Sequence, residues 1–514
     1  MRIGIDVGGT NTDAVLMDGT TVLAEIKTST TDNVTGGVVT ALRGLSEAAG
    51  FTPAEIQAVM IGTTHFTNAI VEGSRLAPTA AIRLGLPATK ALPPMVDWPE
   101  RLKTAIGGRA YLCHGGNEFD GRTISELRPD EIKRAAEEIG AAGVRSVAIS
   151  SVFSPVSADF ELRAAEIVAA ALPDVHISLS HQIGRIGLLE RENATIVNAC
   201  LRDLADTIVD AFAEALATVG IRAPLYLSQN DGTLMDVEYT RKYPVATFAS
   251  GPTNSMRGAA LLSGLADCAV VDIGGTTTDV GVLTGGFPRE AANEVDFGGV
   301  RSNFRMPDVL SIGVGGGSVV REEGVGPDSV GHELTKRALV FGGDTLTATD
   351  IAVAAGYADI GDPSLVRHLA PALVTGALDR MARDIGEVVD RIRTSPEPIP
   401  VVIVGGGSIL VPGSLPGFDR VHRPDHFAVA NAIGAAIAQV GGEVDRIFAI
   451  GSQDRDQVLD QAKSEAADAA VAAGARPGSV RIVEVDEVPL AYLPGNAVRV
   501  RVKAVGELQL GEHI

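Results

Sequence analysis

The amino-acid sequence predicts an α/β protein of two similar domains followed by a small C-terminal α+β portion. Apolar strands such as 144–150, 175–179 and 225–228 alternate with helical stretches such as 129–142 and 160–171, the pattern of βαβ units. One short glycine-rich segment occurs twice. Hydrophobic residues make up 45% of the 514 residues and aromatic residues only 4%, a composition that suits buried parallel strands and Ala-rich helices.

The repeated segment reads DVGGTNTD at 6–13 and DIGGTTTD at 272–279, and six of its eight positions are identical. A short strand precedes each pair of glycines and a second apolar run follows it, so each copy predicts a β-hairpin with a tight Gly-Gly turn. The sequence contains no GxxxxGK[ST] motif, which excludes a P-loop. Two near-identical hairpins indicate two like domains that face each other across a cleft.

The composition of this hairpin suits phosphate binding. Glycines carry no Cβ atom, so phosphate oxygens can approach the backbone, and the turn's N–H groups and threonine hydroxyls can donate to them. Asp6 and Asp272 each end a strand, where they can hold Mg²⁺ through water. Asp13 and Asp279 are either bases or supports of their hairpins. The predicted phosphate-binding residues are Gly8, Gly9, Thr10, Asn11 and Thr12 in the first copy and Gly274, Gly275, Thr276, Thr277 and Thr278 in the second.

Two further glycine-rich turns fit a nucleotide cleft. The segment VVIVGGGS at 401–408 is an apolar strand that runs into three glycines, and a helix is expected near 428–439. An adenosine can lie against such a backbone, where side chains would collide, so Gly405, Gly406 and Gly407 are the predicted adenosine site. The segment SIGVGGGS at 311–318 predicts another such turn. ATP with Mg²⁺ is the expected ligand.

In their order along the chain, these segments resemble the phosphate-1, phosphate-2 and adenosine segments of the actin, Hsp70 and sugar-kinase ATPase superfamily. The resemblance implies two actin-like (ribonuclease H-like) domains around a nucleotide cleft. More narrowly, the chain is similar to the hydantoinase/oxoprolinase A family. The matching segments are GTTHFTNAIVEG at 62–73, SHQIGRIGLLERENATIVNACL at 180–201, SGPTNSMRGA at 250–259 and DVLSIGVGGGS at 308–318.

This resemblance implies an ATP-dependent hydrolase that opens a cyclic amide such as a hydantoin or 5-oxoproline by phosphorylating its carbonyl oxygen. Such proteins often work with a B-type subunit, and some relatives are subunits of ATP-dependent carboxylases. Two other functions share the same cleft: a small-molecule kinase, and a regulatory ATPase that drives a partner protein.

Candidate substrate residues lie in two places. Thr63, Thr64, His65 and Asn68 stand between a strand and a helix, where backbone donors favour anions, although an ordinary helix cap explains them as well. Glu190 and Arg191 lie on a predicted helix over 187–219, where a solvated face is the default and the family position makes them cleft candidates. Because no nucleophile–base pair is recognisable, either a partner subunit or His65 with Thr63 and Thr64 completes the site.

The predicted domains are an N-terminal half at 1–185 with an insertion at 83–128, a second half at 186–440, and a C-terminal portion at 441–514 of unknown role. The formal charge of −21 and the lack of any dense Lys/Arg run argue against nucleic acid and anionic membranes as partners. The apolar stretch 427–440 is too short to span a bilayer, and no targeting segment is recognisable. A cytoplasmic, oligomeric protein is therefore expected.

Overall fold

A computed structural model describes residues 1–30, 34–291, 294–411, 413–449, 455–490 and 497–510. The helices are α1 (Val34–Ala49), α2 (His65–Glu72), α3 (Glu100–Ile106), α4 (Pro129–Ala141), α5 (Asp159–Ala171), α6 (Leu188–Cys200), α7 (Arg202–Thr218), α8 (Val237–Lys242), α9 (Ser250–Ser263), α10 (Leu334–Arg337), α11 (Ala348–Ala354), α12 (Pro371–Ile392), α13 (Ala430–Ala436) and α14 (Arg455–Ala472).

The strands are β1 (Arg2–Val7), β2 (Asn11–Asp18), β3 (Thr21–Ser29), β4 (Ala58–Thr63), β5 (Thr79–Leu86), β6 (Arg109–His114), β7 (Ser146–Ser151), β8 (His176–Leu179), β9 (Leu225–Ser228), β10 (Thr233–Asp236), β11 (Cys268–Ile273), β12 (Thr278–Thr284), β13 (Phe287–Pro288), β14 (Val295–Phe297), β15 (Val300–Ser302), β16 (Val309–Ile312), β17 (Ser318–Arg321), β18 (Gly324–Ser329), β19 (Val401–Val404), β20 (Val421–His422), β21 (Gln439–Ala449), β22 (Arg481–Pro489) and β23 (Ala497–Gly506).

Two sheets carry the repeated hairpins. The first has nine strands in the order β22-β23-β21-β10-β9-β4-β1-β2-β3, and the second has six, with β13-β12-β11-β19-β20 in a row and β16 against β12. In the first sheet β1 pairs antiparallel with β2 and parallel with β4, and in the second β11 pairs antiparallel with β12 and parallel with β19. The sequence repeat is therefore a repeat of structure.

The central strands of both sheets are buried along almost their whole length. β4 and β19 are apolar except at the end of β4, and each of their residues is buried. Such continuous apolar runs are typical of parallel strands that helices cover on both faces. Their carboxyl ends, where the hairpin turns also lie, meet at one edge of each sheet.

Strand pairing crosses the domain boundaries expected near 185 and 440. β9, β10 and β21 lie beyond those boundaries, yet they extend the sheet that contains β1. The C-terminal portion is one helix, α14, with strands that continue the first sheet, as an α+β portion should. The expected insertion at 83–128 contains β6 and the second half of β5, which belong to the parallel sheet β6-β5-β7-β8. The boundaries themselves remain a prediction.

Helices α9 and α13 cross between the two sheets. α9 packs against the second sheet through Met256 and Ala259, and α13 packs against the first through Ala432 and Ile433. The crossing needs glycine, because a Cβ atom at Gly434 would overlap the carbonyl oxygen of Asn254. Both sheets are thereby fixed to one helix pair, and side chains from this pair can reach both hairpins.

Candidate functional site

The two predicted hairpin turns have the same backbone closure. Gly8 N donates to Asn11 O at 3.0 Å, and Gly274 N donates to Thr277 O at 2.9 Å. The turn residues Gly9 and Thr276 are exposed. Each turn therefore presents backbone N–H groups to a cleft without a bulky side chain in front of them.

The threonines at the start of each return strand are less accessible than the sequence suggested. Thr12 and Thr278 are fully buried, and Thr278 Oγ1 donates to Val314 O at 2.6 Å. Thr12 Oγ1 lies 3.2 Å from Thr30 Oγ1. Their hydroxyl groups already have partners inside the protein, so the exposed turn residues are better placed to meet a phosphate.

Four carboxylates converge behind the turns. Asp6 pairs with Asp13 across the first hairpin, and Asp272 pairs with Asp279 across the second. Burial, together with the charges of Asp13 and Asp272, raises the pKa of Asp6 to about 7. Burial is also the main cause that raises the pKa of Asp272 to about 6. Since Asp6 and Asp272 influence each other, the two hairpins face one another, and their carboxylates form a site of concentrated negative charge.

Helices α9 and α13 supply side chains to these carboxylates. Asn431 Nδ2 donates to Asp6 Oδ2 at 3.0 Å and to Asp13 Oδ2 at 2.9 Å. Ser255 binds Asp272 and lowers its pKa, against the effect of burial. Asn254 lies beside Asp6, and Asp6 Oδ1 and both polar atoms of the Asn254 side chain are buried without a partner among the described residues. A water molecule, a cation or a ligand can satisfy these atoms.

One cation, Lys27, contacts the carboxylates within the described part of the chain. Its Nζ atom lies 2.5 Å from Asp13 Oδ1 and 3.4 Å from Ala428 O, and 36% of its side chain is exposed. A Cβ atom on Gly406 would lie 3.8 Å from Lys27 Cε. Lys27 therefore reaches from the first hairpin to the predicted adenosine turn.

The glycine triplets lie against the second hairpin. Gly405 has a φ of +87°, and a Cβ atom there would collide with the Asp272 carboxylate. The other triplet holds the turn itself, since Gly316 N donates to Gly274 O at 3.0 Å and Gly317 N to Gly275 O at 2.7 Å. Only glycine fits at Gly405, because both the backbone conformation and the space require it.

Known proteins share this arrangement. The family profile of the hydantoinase/oxoprolinase N-terminal region matches residues 2–172, and the hydantoinase/oxoprolinase profile matches residues 191–362. Together these matches cover more than half of the chain. The chain belongs to the hydantoinase/oxoprolinase family. The family predicted from the segments at 62–73, 250–259 and 308–318 is thereby confirmed.

Curated relatives of this hydantoinase/oxoprolinase chain are named as enzyme subunits. The caprolactamase subunit alpha of Pseudomonas jessenii is 28% identical over 470 residues, which are 85% of this chain and 65% of that protein. The acetophenone carboxylase gamma subunit of Aromatoleum aromaticum is 25% identical over 69% of this chain and 53% of its own length. The chain thus spans less than two thirds of the length of these relatives.

Solved structures show the same fold. The ATP-dependent caprolactamase from Pseudomonas jessenii superposes with a TM-score of 0.78 at 20% identity, over 99% of this chain and 88% of that chain. A nucleotide-free acetone carboxylase gives a TM-score of 0.71 at 17% identity, over 100% of this chain and 88% of that one. The predicted actin-like α/β fold is therefore confirmed.

The first group of predicted substrate residues divides in two. Thr64 and Asn68 lie at the first turn. Asn68 Nδ2 is 3.4 Å from Thr64 Oγ1, and it is the side-chain atom nearest to a Cβ atom built on Gly9, at 3.9 Å. His65 instead packs edge-on against Phe212 in the core, and its Nδ1 lies 2.6 Å from Thr63 Oγ1. Burial lowers the pKa of His65 to about 4. His65 is a weak base in this position.

Glu190 and Arg191 lie away from the hairpins. Arg191 is fully buried and donates to the carbonyl oxygens of Arg185 and Ser151 at 2.9 and 2.7 Å, so it holds the loop 180–187 in place. The single helix expected over 187–219 is wrong, because α6 and α7 are separated at Leu201. There the Leu201 N–H bonds to Asn198 O, three residues back, in a tight turn.

Sequence reasoning missed Lys27, Asn254, Ser255 and Asn431. Asn254 and Ser255 lie within the SGPTNSMRGA segment that pointed to the family, but a sequence does not show that the first reaches Asp6, about 250 positions away, and the second Asp272. Within the described ranges, no group of three or more His, Cys, Asp or Glu side chains has a metal-binding arrangement. No helix in that part of the chain is long and apolar enough to cross a membrane.

Proposed function

We propose that this chain binds Mg·ATP between its two hairpins and uses it to open a cyclic amide. The observation that carries the proposal is the pair of facing Gly-Gly turns with four aspartates behind them, of which Asp6 and Asp13 are buried and Asp272 and Asp279 half-buried. Backbone donors at both turns suit phosphate oxygens. The names of a caprolactamase relative and a fold neighbour, in which the ring substrate is a lactam and ATP is required, support the same reading.

The residues present fit a nucleotide with a divalent cation. Asp6 Oδ1 is buried without a partner in the described residues, and Mg²⁺ prefers one or two carboxylates together with phosphate oxygens. Asp6 and Asp272 would hold the cation, the two turns would hold the phosphates, and Gly405–Gly407 would face the adenosine. A cation between Asp6 and Asp272 would offset the repulsion that raises the pKa of Asp6.

The chemistry asks little of this chain beyond positioning and charge stabilisation. An amide carbonyl is a poor electrophile because its nitrogen donates electrons into it, and ATP supplies the phosphoryl group that activates its oxygen. In the overall reaction one water adds OH to the carbonyl carbon and H to the ring nitrogen as the C–N bond breaks, and a second water releases the transferred phosphoryl group, so that ATP becomes ADP and phosphate. The turns and Lys27 would stabilise charge on the transferring group.

Ring opening is proposed to need a partner subunit. No nucleophile–base pair lies at the hairpins among the described residues, and His65 faces the core, so the chain lacks an evident group to direct water at the activated carbon. The relatives above are themselves named as subunits, which supports this division of labour. The predicted cytoplasmic location and oligomeric state remain expectations.

The direct test is calorimetry of the purified chain with Mg·ATP, Mg·ADP and each nucleotide in EDTA. We expect nucleotide binding that depends on Mg²⁺. In activity assays we expect the chain alone to release phosphate from ATP slowly, and caprolactam or hydantoin to be opened only after addition of the protein encoded beside it. Absence of binding by both nucleotides in folded protein would refute the proposal.

A carboxylase subunit is the second candidate function, because two curated relatives, the acetophenone carboxylase gamma subunit and the acetone carboxylase beta subunit of Xanthobacter autotrophicus, carry that name. The products separate the candidates. A ring-opened amino acid with free phosphate identifies the hydrolase, incorporation of labelled bicarbonate into a ketone identifies the carboxylase, and a stable phosphorylated product identifies a kinase.

A further inference from the structure

A large cavity lies beside the first hairpin and has no role in the proposed nucleotide site. Its volume is about 1010 Å³, at the upper end of the range found for small-molecule sites. Its walls are the loop 181–186, the turn from β9 to β10, helix α8, and the C-terminal elements β21, β23 and α14. Several widely separated parts of the sequence therefore build one cavity, which is partly open to solvent.

The strand register places this cavity at the same sheet edge as the first phosphate turn. Val7 pairs with Thr63 between β1 and β4, and Ile61 pairs with Leu227 between β4 and β9. Continued by two residues, this register aligns Gln229, a wall of the cavity, with Thr63. Two steps of about 4.8 Å put Gln229 about 10 Å from Val7. In α/β proteins ligands bind at this carboxyl edge of parallel strands.

The charges of the lining favour a neutral ligand. The lining arginines and acids are equal in number: Arg185, Arg305, Arg446 and Arg499 against Asp231, Asp236, Glu443 and Asp445. Most of them are paired, for example Arg305 with Asp445 at 3.2 Å and Asp231 with Lys503 at 2.8 Å. The cavity therefore has no excess charge that would attract an ion.

The uncharged part of the lining combines an apolar surface with amide groups. Ile183, Ile186 and Phe304 offer apolar contacts, and Gln182 and Gln229 offer amides. Tyr243 donates to Gln182 Oε1 at 2.7 Å, and the Gln182 amide N–H groups can donate to a carbonyl oxygen. Arg185 is not such a donor, because its Nε atom is buried away from the cavity space and its Nη2 atom donates to Glu290 at 3.1 Å.

The loop wall is held rigid from behind. Arg191 donates to the carbonyl oxygens of Arg185 and Ile186, and the buried Glu161 accepts from His181 N at 3.0 Å. Charge-assisted hydrogen bonds of this kind fix a loop more firmly than neutral ones. This explains Arg191 as a positioning residue for the cavity wall.

We infer that this cavity is the binding site of the cyclic amide, a neutral ring with one apolar side and a carbonyl group. This inference rests on the proposed function. The Gln182 amide N–H groups would bind the carbonyl oxygen or a second ring carbonyl, and the apolar wall would hold the methylene groups. Ligands bound at neighbouring positions of one sheet edge can come into contact, so the cavity and the phosphate turn together form the reaction site.

A matched pair of variants on α14 tests this inference. Ala469 lines the cavity and is half-buried, so Ala469→Phe fills part of it, whereas Val471 is exposed on the same helix and outside the lining. The probes are ε-caprolactam and hydantoin as neutral rings and 5-oxoproline as a ring with a carboxylate. The readouts, in the presence of the partner protein, are ring-dependent ATP turnover, direct ring binding by saturation-transfer NMR, and the Kd for Mg·ATP.

We expect Ala469→Phe to raise the KM for the neutral rings at least tenfold while the Kd for Mg·ATP stays within twofold, and Val471→Phe to match the unchanged chain. Gln182→Leu keeps the approximate size of the side chain but removes its amide, so it should also raise KM with little change in ATP binding. Equal KM values in Ala469→Phe and Val471→Phe would overturn the inference, as would the absence of neutral-ring binding or a preference for 5-oxoproline. If the unchanged chain does not bind ATP, the proposed function itself fails.

Discussion

The two hairpins share a sequence and a backbone but have different surroundings. At the first, Asp13 forms an ion pair with Lys27, and Asn431 bridges Asp13 and Asp6. At the second, Asp279 accepts a hydrogen bond from Ser311, and no described cation contacts either Asp272 or Asp279. The comparison teaches that a repeated motif defines a shape, whereas the residues packed behind it determine its charge. We expect the two hairpins to share phosphate binding but to differ in how they respond to substitution.

The largest expected effect is on turnover. Asp272→Asn should lower the rate of ATP hydrolysis by about 10²–10³-fold while the Kd for Mg·ADP changes little, because the carboxylate is proposed to order the cation as charge moves, and the backbone holds the ground-state phosphates. Asp6→Asn should give a loss of similar size, since Asp6 faces Asp272. Steady-state phosphate release and calorimetry measure the two quantities.

If one of the two aspartates is dispensable, the proposed equal contribution of Asp6 and Asp272 to turnover is wrong. If Asp6→Asn keeps full turnover while Asp272→Asn loses it, a single carboxylate holds the cation. Loss of nucleotide binding in both variants, with the fold intact by circular dichroism, would instead assign the carboxylates to binding.

The next effect concerns stability and is confined to the first half, where His65 lies behind the first turn. Burial lowers the pKa of folded His65 to about 4 from the ordinary value of 6.5. Between these values the unfolded chain binds a proton that the folded chain excludes, so the free energy of unfolding should rise with pH across this window. The pKa difference between folded and unfolded His65 corresponds to about 3 kcal/mol in the free energy of unfolding. This stability is fully present above the ordinary pKa and is lost as the pH falls toward 4.

Urea unfolding at a series of pH values between about 4 and about 7 checks this expectation. His65→Gln should flatten the pH dependence, whereas His368→Gln, at an exposed position, should leave it unchanged. The same dependence in all three proteins would show that His65 is accessible to water and protons, which would return it to the list of candidate bases.

Much of this comparison was foreseeable from the sequence, and its asymmetry was not. The hairpins, the order of the phosphate and adenosine segments and the family follow from local patterns such as DxGGTxTD and the glycine triplets. Asn254 and Asn431 reach Asp6 from hundreds of positions away through the crossing of α9 and α13, and local pattern carries no information about such contacts. Lys27 lies only 14 positions from Asp13, and its role depends on the pairing register of β2 with β3. His65 illustrates the converse, because a polar residue at the right sequence distance faces the core once the helix α2 is packed.

A smaller effect should follow from disturbing the crossing that serves both hairpins. Gly434→Ala places a Cβ atom against the Asn254 carbonyl oxygen, and such overpacking costs about 1–3 kcal/mol. Gly376 is the matched control, because it is exposed on α12 and a Cβ atom built on it would have no other atom within 4 Å. We expect Gly376→Ala to stabilise this helix by about 0.5–1 kcal/mol. Thermal unfolding measures both. Equal changes in the two variants would mean that the helices can separate without cost.

The smallest expected effect is the most specific to the asymmetry. Lys27→Met keeps the length of the side chain and removes the cation that contacts this carboxylate cluster, so the Kd for Mg·ATP should rise about tenfold, equivalent to about 1.4 kcal/mol. Lys27→Arg should retain most of the affinity. Ser311→Ala is the counterpart at the second hairpin, and it should change the Kd less than threefold because it removes one hydrogen-bond donor to Asp279 and no charge.

A double variant separates the two ways in which Lys27 can act. If Lys27 only neutralises Asp13, then Lys27→Met combined with Asp13→Asn removes both charges of the pair and should restore the affinity for Mg·ATP. If Lys27 contacts the phosphates, the double variant stays about as weak as Lys27→Met alone. We expect the second result, because over a third of the Lys27 side chain is exposed and it extends to the predicted adenosine turn, beyond the carboxylate that it pairs with. Restored affinity would make the difference between the hairpins a matter of stability alone.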